Sequence, residues 1–208
     1  MGISNFTRKS VRYEKLERTQ SPQEEATIVE SLKGRLLVSG GGLYDASFRH
    51  TVVLVGEHDA RGAVGVILNR ALSTTVAEAV PPLASLVDTD APLFEGGPVR
   101  PDEAVLLVET ARTELLDVQV LESVGFLTGE VPAALRPEVL RARVFAGHAG
   151  WGAGQLEAEL ETDAWILDDA RKEDVFTDAP ELLRAKVLRR KGPEYAALAR
   201  VPFDPRMN

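Results

Sequence analysis

The sequence predicts an α+β domain. Short aliphatic and β-branched runs crowd the first part of the chain, helical patterns dominate the rest, and the clearest pair of runs is joined by a turn instead of a helix. At 208 residues, with 44% hydrophobic and 27% charged side chains, the chain is one globular domain with tails.

Residues 1–32 are polar and mixed in charge, and read as a loosely attached arm with a short helix at Thr27–Leu32. The folded body, 33–208, opens with GRLLVSG, a strand that runs into glycines 40–42. Thr51–Gly56 and Ala63–Leu68 form a hairpin around a polar turn containing Asp59 and Gly62. Both arms are continuously apolar, so both faces are covered and the hairpin is central in the sheet. Thr75–Val80 is a short helix, capped by Thr74 or Thr75 and stopped by Pro81-Pro82.

Further strands are expected at Ala104–Val108, Leu115–Val120 and Arg143–Ala146. In the helix Ala153–Leu160, residues Ala153, Leu156 and Leu160 share one face while Glu157 and Glu161 point away. Trp165–Leu167 is the last strand. In DAPELLRAKVLRRKG, Asp178 can cap, Pro180 suits the first turn, Glu181 can reach back and Gly192 closes the helix. A second short helix covers Pro193–Ala199.

Composition excludes several function classes. There is no cysteine, which removes disulfides, thiolate nucleophiles and sulfur-ligated metals. The formal net charge of −8 repels phosphate backbones unless cations gather on one face. Apolar runs such as TVVLVG are too short to cross a bilayer, and MGISNFTRKS lacks the apolar core of a signal peptide and fails the myristoylation pattern at Phe6. A cytoplasmic protein without a membrane partner is the simplest expectation.

Most chemistry-bearing motifs reduce to structural ones. The glycines at 40–42 lack dinucleotide spacing, since Asp45 stands where a glycine is needed, and no GK[ST] follows. His50 and His58 bracket a strand and would sit about 26 Å apart, so they cannot share an ion, and His148 has no ligand spacing around it; no metal is expected. Glu57-His58-Asp59 reads as solvated hairpin-tip residues. Neither Ser39 nor Ser47 stands in a nucleophile elbow. Glu95, in FEGGP, reads as a turn residue or as the lip of a cleft. Lys186, Arg189, Arg190 and Lys191 meet the negative end of a helix macrodipole, and Leu182, Leu183, Val187 and Leu188 give that helix an ordinary core face. Direct DNA binding is therefore disfavoured. Trp151, in GHAGWGAGQ, follows a strand and precedes a helix: it either plugs the core at a tight turn or offers a stacking surface, with Gln155 one helical turn on.

Taken together, GRLLVSGGGLYDASFRHTVVLVGEHDARGAVGVILNR, FEGGPV, VFAGHAGWGAGQLEAEL and EDVFTDAPELLRAKVLRR resemble the signature blocks of the YqgE/AlgH family of bacterial proteins, in order and over roughly residues 33–208. The resemblance implies a compact α+β domain whose mixed, mostly antiparallel sheet curls into a barrel-like core with helices packed outside. It implies no reaction and no cofactor. Some members carry a transcriptional-regulator label. The chain departs from the family pattern in GGGLYDASF, which keeps Leu43, Asp45 and Phe48 but loses two prolines, and at His148, where an aromatic residue is common.

These observations point to a non-catalytic binding domain for a small molecule or a protein. Its expected site gathers Asn69, Glu95, His148, Trp151 and Gln155, with Trp151 stacking and the others hydrogen bonding. Two alternatives belong to other classes: a transcriptional regulator acting indirectly, and a small-molecule hydrolase using His148.

Overall fold

The aliphatic hairpin expected at the centre of the sheet is there in the computed structural model, which describes residues 30–40, 45–129 and 131–200. Nearly all of the expected arm, the first half of the helix expected at Thr27–Leu32 and glycines 41 and 42 fall outside those residues. Strand β1 (Arg35–Ser39) leads into β2 (Val52–Asp59) and β3 (Gly62–Ile67), followed by β4 (Ala71–Thr75) and helix α1 (Val76–Ala79). Thr75, one of the two expected caps, caps α1 in a capping box with Glu78. Next come β5 (Pro92–Glu95), β6 (Val99–Thr110), β7 (Val118–Leu121), β8 (Val124–Leu127) and β9 (Val139–Gly152). Helix α2 (Gln155–Glu161), β10 (Trp165–Asp169), α3 (Lys172–Val175), α4 (Pro180–Lys191) and α5 (Ala196–Ala199) complete the body.

The architecture is α+β, built on one large sheet. Among the described residues its hydrogen-bonded order is β10-β1-β2-β3-β9-β6-β8-β7, with β5 on β9 and β4 on β5. Every pairing is antiparallel except β5 with β9, so the sheet is mixed and mostly antiparallel. The path has two ends, β10 and β7, and does not close into a barrel.

Side chains alternate across the sheet, and both faces are covered. Leu36, Val38 and Leu54 pack with Phe145 under Leu183, Val187 and Leu188 of α4. Leu37, Val53 and Val55 face the other way, onto Trp151, Trp165 and Leu156 of α2. A third cluster joins Val76 and Leu93 to Leu106, Val108 and Val144. The continuous apolarity of β1 and β2 follows from this double burial.

Several local expectations need correction. The hairpin turn is tight: Asp59 pairs with Gly62, leaving only Ala60 and Arg61 between the strands. His58 is therefore a strand residue and is buried, because its period-2 position points inward. The strand expected at Arg143–Ala146 continues to Gly152, since Phe145, Gly147, Ala149 and Trp151 alternate inward and two small residues mask that period in the sequence. Trp151 thus stands on a strand. Ala153 lies outside α2 and is exposed, while Leu182 is on the solvent side of α4. FEGGP ends a short strand; a Cβ at Gly97 would run into the His148 carbonyl group, so glycine is what lets β9 approach.

Candidate functional site

The tryptophan among glycines belongs to an aromatic cluster. Phe48 stacks on Trp151 at 5.8 Å between ring centroids, and Trp165 meets both rings edge-on at 5.6 and 5.9 Å. Glu159 of α2 then collects both indoles: Trp151 Nε1–H donates to its Oε2 at 2.9 Å and Trp165 Nε1–H to the same oxygen at 2.7 Å. Gln155 donates to the other oxygen at 2.9 Å while its own carbonyl accepts the Gly152 N–H. Trp151 is only 6% exposed. A ring so enclosed, with its single donor engaged, has no face left for stacking a ligand. Trp151 and Gln155 form a lock that seats α2.

The remaining expected site residues divide. His148 is half-buried on the face of β9 opposite Trp151 and pairs with Val99. Burial and then Arg100 push its pKa down, with Glu103 opposing. Asn69 and Glu95 lie together at the exit of β3. Glu95 pairs with Arg70 at 3.0 Å, and Arg70 also donates to the Arg49 carbonyl. Asn69 accepts the Val52 N–H at 2.8 Å and donates to the His50 carbonyl at 2.9 Å.

Those contacts shape the turn between Asp45 and Thr51. Asp45 accepts the Ser47 N–H, and Thr51 Oγ1 donates back to the Phe48 carbonyl at 2.8 Å. Phe48 rests on the aromatic cluster beneath. At the top, His50 is held at φ 58°, a region that a non-glycine residue enters at a cost of about 1–3 kcal/mol. Its Nδ1 is buried and has no hydrogen-bond partner among the described residues. Burial first, then the charges of Arg184, Arg49 and Arg70, drive the His50 pKa below its ordinary value. Those causes favour the neutral imidazole.

Arg184, on α4, closes the corner. It is buried, donating through Nε and one Nη to Ser39 Oγ and Ser39 O (3.3 and 2.9 Å) and through the other Nη to the Leu198 carbonyl at 2.9 Å. Its partners are neutral, and burial lowers its pKa. Neither Arg184 nor His50 was singled out in the sequence as a site residue. The buried position of Arg184 in the i, i+3, i+4 face shared by Leu183, Val187 and Leu188 was the available signal.

A second constellation was also missed. His58 Nδ1 accepts the Leu32 N–H at 3.0 Å, which fixes the proton on Nε2, and Nε2–H donates to Glu157 Oε1 at 2.8 Å. The expectation that His58 is solvated and that Glu157 points away is overturned by this pair. Both imidazole nitrogens are occupied, so the pair ties residues 31–32 and α2 to the end of β2.

Two of the basic residues of α4 are engaged internally. Arg190 pairs with Asp168 at 2.8 Å and with the fully buried Asp174 at 2.7 Å, and Lys186 pairs with Asp174 at 3.2 Å.

Comparison with known proteins matches residues 36–196 to a family described as AlgH-like. A UPF0301 protein of Streptomyces coelicolor is 39% identical over 189 residues, covering 88% of this chain and 98% of the relative. A UPF0301 protein of Mycobacteroides abscessus is 40% identical over 177 residues, covering 82% and 85%. The crystal structure of a Corynebacterium diphtheriae protein is similar with a TM-score of 0.72 at 26% identity, over 86% of this chain and 94% of that one. The solution structure of AlgH from Pseudomonas aeruginosa gives 0.63 at 26% identity, over 90% and 100%. None of these names states a reaction or a ligand.

Proposed function

The chain belongs to the AlgH-like family, and from that premise we propose that it is a non-catalytic domain binding a small molecule or a protein at the corner formed by Ser39, His50, Asn69, Arg70 and Arg184. The observation that carries this reading is His50: a strained backbone, its carbonyl held by Asn69, presents a ring whose buried nitrogen lacks a partner among the described residues. Polar groups converging on such a point are what fixes a ligand's orientation in a binding site. Of the residues expected from sequence, Asn69 and Glu95 serve the corner as supports, Trp151 props it through Phe48, and His148 and Gln155 stand outside it.

A thermal-shift screen of metabolites and nucleotides tests it, because a ligand at 100 times its Kd stabilises by about 2.7 kcal/mol. Hits are expected to lose most of their shift in His50→Ala and to keep it in Gln155→Ala. Hits that persist in His50→Ala and vanish in Gln155→Ala would contradict the assignment.

The other classes draw less support. For a hydrolase, His58–Glu157 has the hydrogen-bond geometry of an acid–base pair, but the Leu32 N–H occupies the nitrogen that would act as base. For a DNA-binding regulator, the ion pairs of Arg190 and Lys186 occupy two of the four cations in the last turns of α4, and the net charge of −8 opposes a phosphate backbone, so a regulatory role in this reading is indirect. The cytoplasm is the compartment taken here, which fits a chain without cysteine. No helix among the described residues is long and apolar enough to cross a membrane. The family premise also brings a barrel-like curl, and the approach of β7 to β2 with the Phe126 ring against Gly56 supports one.

A further inference from the structure

We infer that the corner takes the phosphate group of a small molecule, held between the Arg184 guanidinium and the Arg49–His50 turn, an assignment that rests on the corner being the binding site. Arg184 is a buried cation whose acceptors are two backbone carbonyls and one hydroxyl. A guanidinium has five N–H donors, and these contacts engage three nitrogens once each. The two remaining N–H groups are one on each Nη. No salt bridge joins Arg184 to a carboxylate among the described residues, and only burial acts on its pKa. A desolvated charge without a counter-charge costs several kcal/mol, and an incoming anion offsets that cost.

The charge count narrows the anion. Arg49, Arg70 and Arg184 all act on His50, and Glu95 pairs with Arg70. That leaves two positive charges, on Arg49 and Arg184, without a carboxylate partner among the described residues. A phosphate monoester carries about −1.5 to −2 at pH 7 and matches two cations; a carboxylate matches one. The planar fork of arginine suits phosphate oxygens, and the neutral His50 ring adds a donor in its Nδ1–H tautomer without adding charge. Asp45, the acid on the turn itself, is occupied in accepting the Ser47 N–H. Because Arg184 is only 7% exposed, the anion inferred is a terminal phosphate and not the backbone of a duplex.

The test titrates inorganic phosphate at constant ionic strength, with acetate as the comparison, and follows the Arg184 Nε–H and His50 ring signals by NMR. Phosphate is expected to shift both signals saturably, with affinity at least tenfold tighter than acetate. His50→Ala should weaken phosphate at least fivefold, and Arg184→Lys, which keeps the charge and loses the fork, about tenfold. Arg189→Ala, on the exposed side of α4, should leave affinity unchanged. Acetate binding as tightly as phosphate would overturn the phosphate assignment while leaving the corner as the site. Silence with both anions, while a neutral hit from the metabolite screen moves the same two signals, would overturn the anion and again leave the corner. Hits that move only signals elsewhere would remove the corner itself.

Discussion

Glu159 accounts for the tryptophan set among glycines. Two indole N–H groups need an acceptor if the rings are to be buried, and one carboxylate oxygen supplies it for both. Glu159→Ala strands two donors and should lower stability by about 2–4 kcal/mol in urea unfolding, with a loss of near-UV tryptophan signal. Glu159→Gln keeps an acceptor and should cost less than half as much. The histidines make a separate prediction. His50 and His148 both have pKa values lowered in the folded state, so the unfolded chain binds protons first. Their contribution is fully present above the ordinary histidine value of 6.5 and is lost as pH falls through the folded values. Stability should therefore decline below pH 6.5, well above the range where carboxylates titrate, and the double variant His50→Gln, His148→Gln should flatten that decline in chemical unfolding. Little of this residue-scale detail was legible in the sequence. The partners of Trp151, His50 and His58 come from residues 8, 19 and 99 positions away in the chain.

At the scale of elements, the sequence was most informative where periodicity and caps agree. The strands β1, β2 and β3 announced themselves by aliphatic runs, α1 by a threonine cap and the Pro81-Pro82 stop, and α4 by Pro180 and Gly192 at its two ends. β4, β5 and β8 were not read because each is four or five residues long and exists through its neighbours' hydrogen bonds. The length of β9 was hidden by Gly147 and Ala149 at inward positions. Helix α4 owes its seating to charge as well as to its apolar face. Arg190→Met leaves Asp174 buried with Lys186 as its remaining ion-pair partner and should destabilise the fold by about 3 kcal/mol in urea unfolding. Repeating the change in an Asp174→Leu background should recover much of that loss, since removing both charges removes the uncompensated one.

For the molecule as a whole, the α+β class and the mostly antiparallel sheet were expected and are found, and among the described residues the sheet stays open, with β10 and β7 as its two ends. Coverage of both faces of the sheet explains why the sequence betrays so little chemistry: most of its conspicuous side chains, Trp151, Trp165, Glu159, His58 and Arg190, are consumed in joining helices to strands. Function was less legible than fold because the corner proposed as the site is assembled from Ser39, His50, Asn69 and Arg184, four residues contributed by separate segments and none carrying a motif. The tryptophans, of which the chain has two, are clean reporters of which surface does the work. The most direct measurement is an NMR titration with the strongest hit of the metabolite screen, observing the two indole Nε1–H signals beside Arg184 Nε–H. The corner should respond, with the Arg184 signal moving and both indoles nearly still. Movement of the Trp151 indole with Arg184 unchanged would contradict the account and return the site to the glycine-flanked ring.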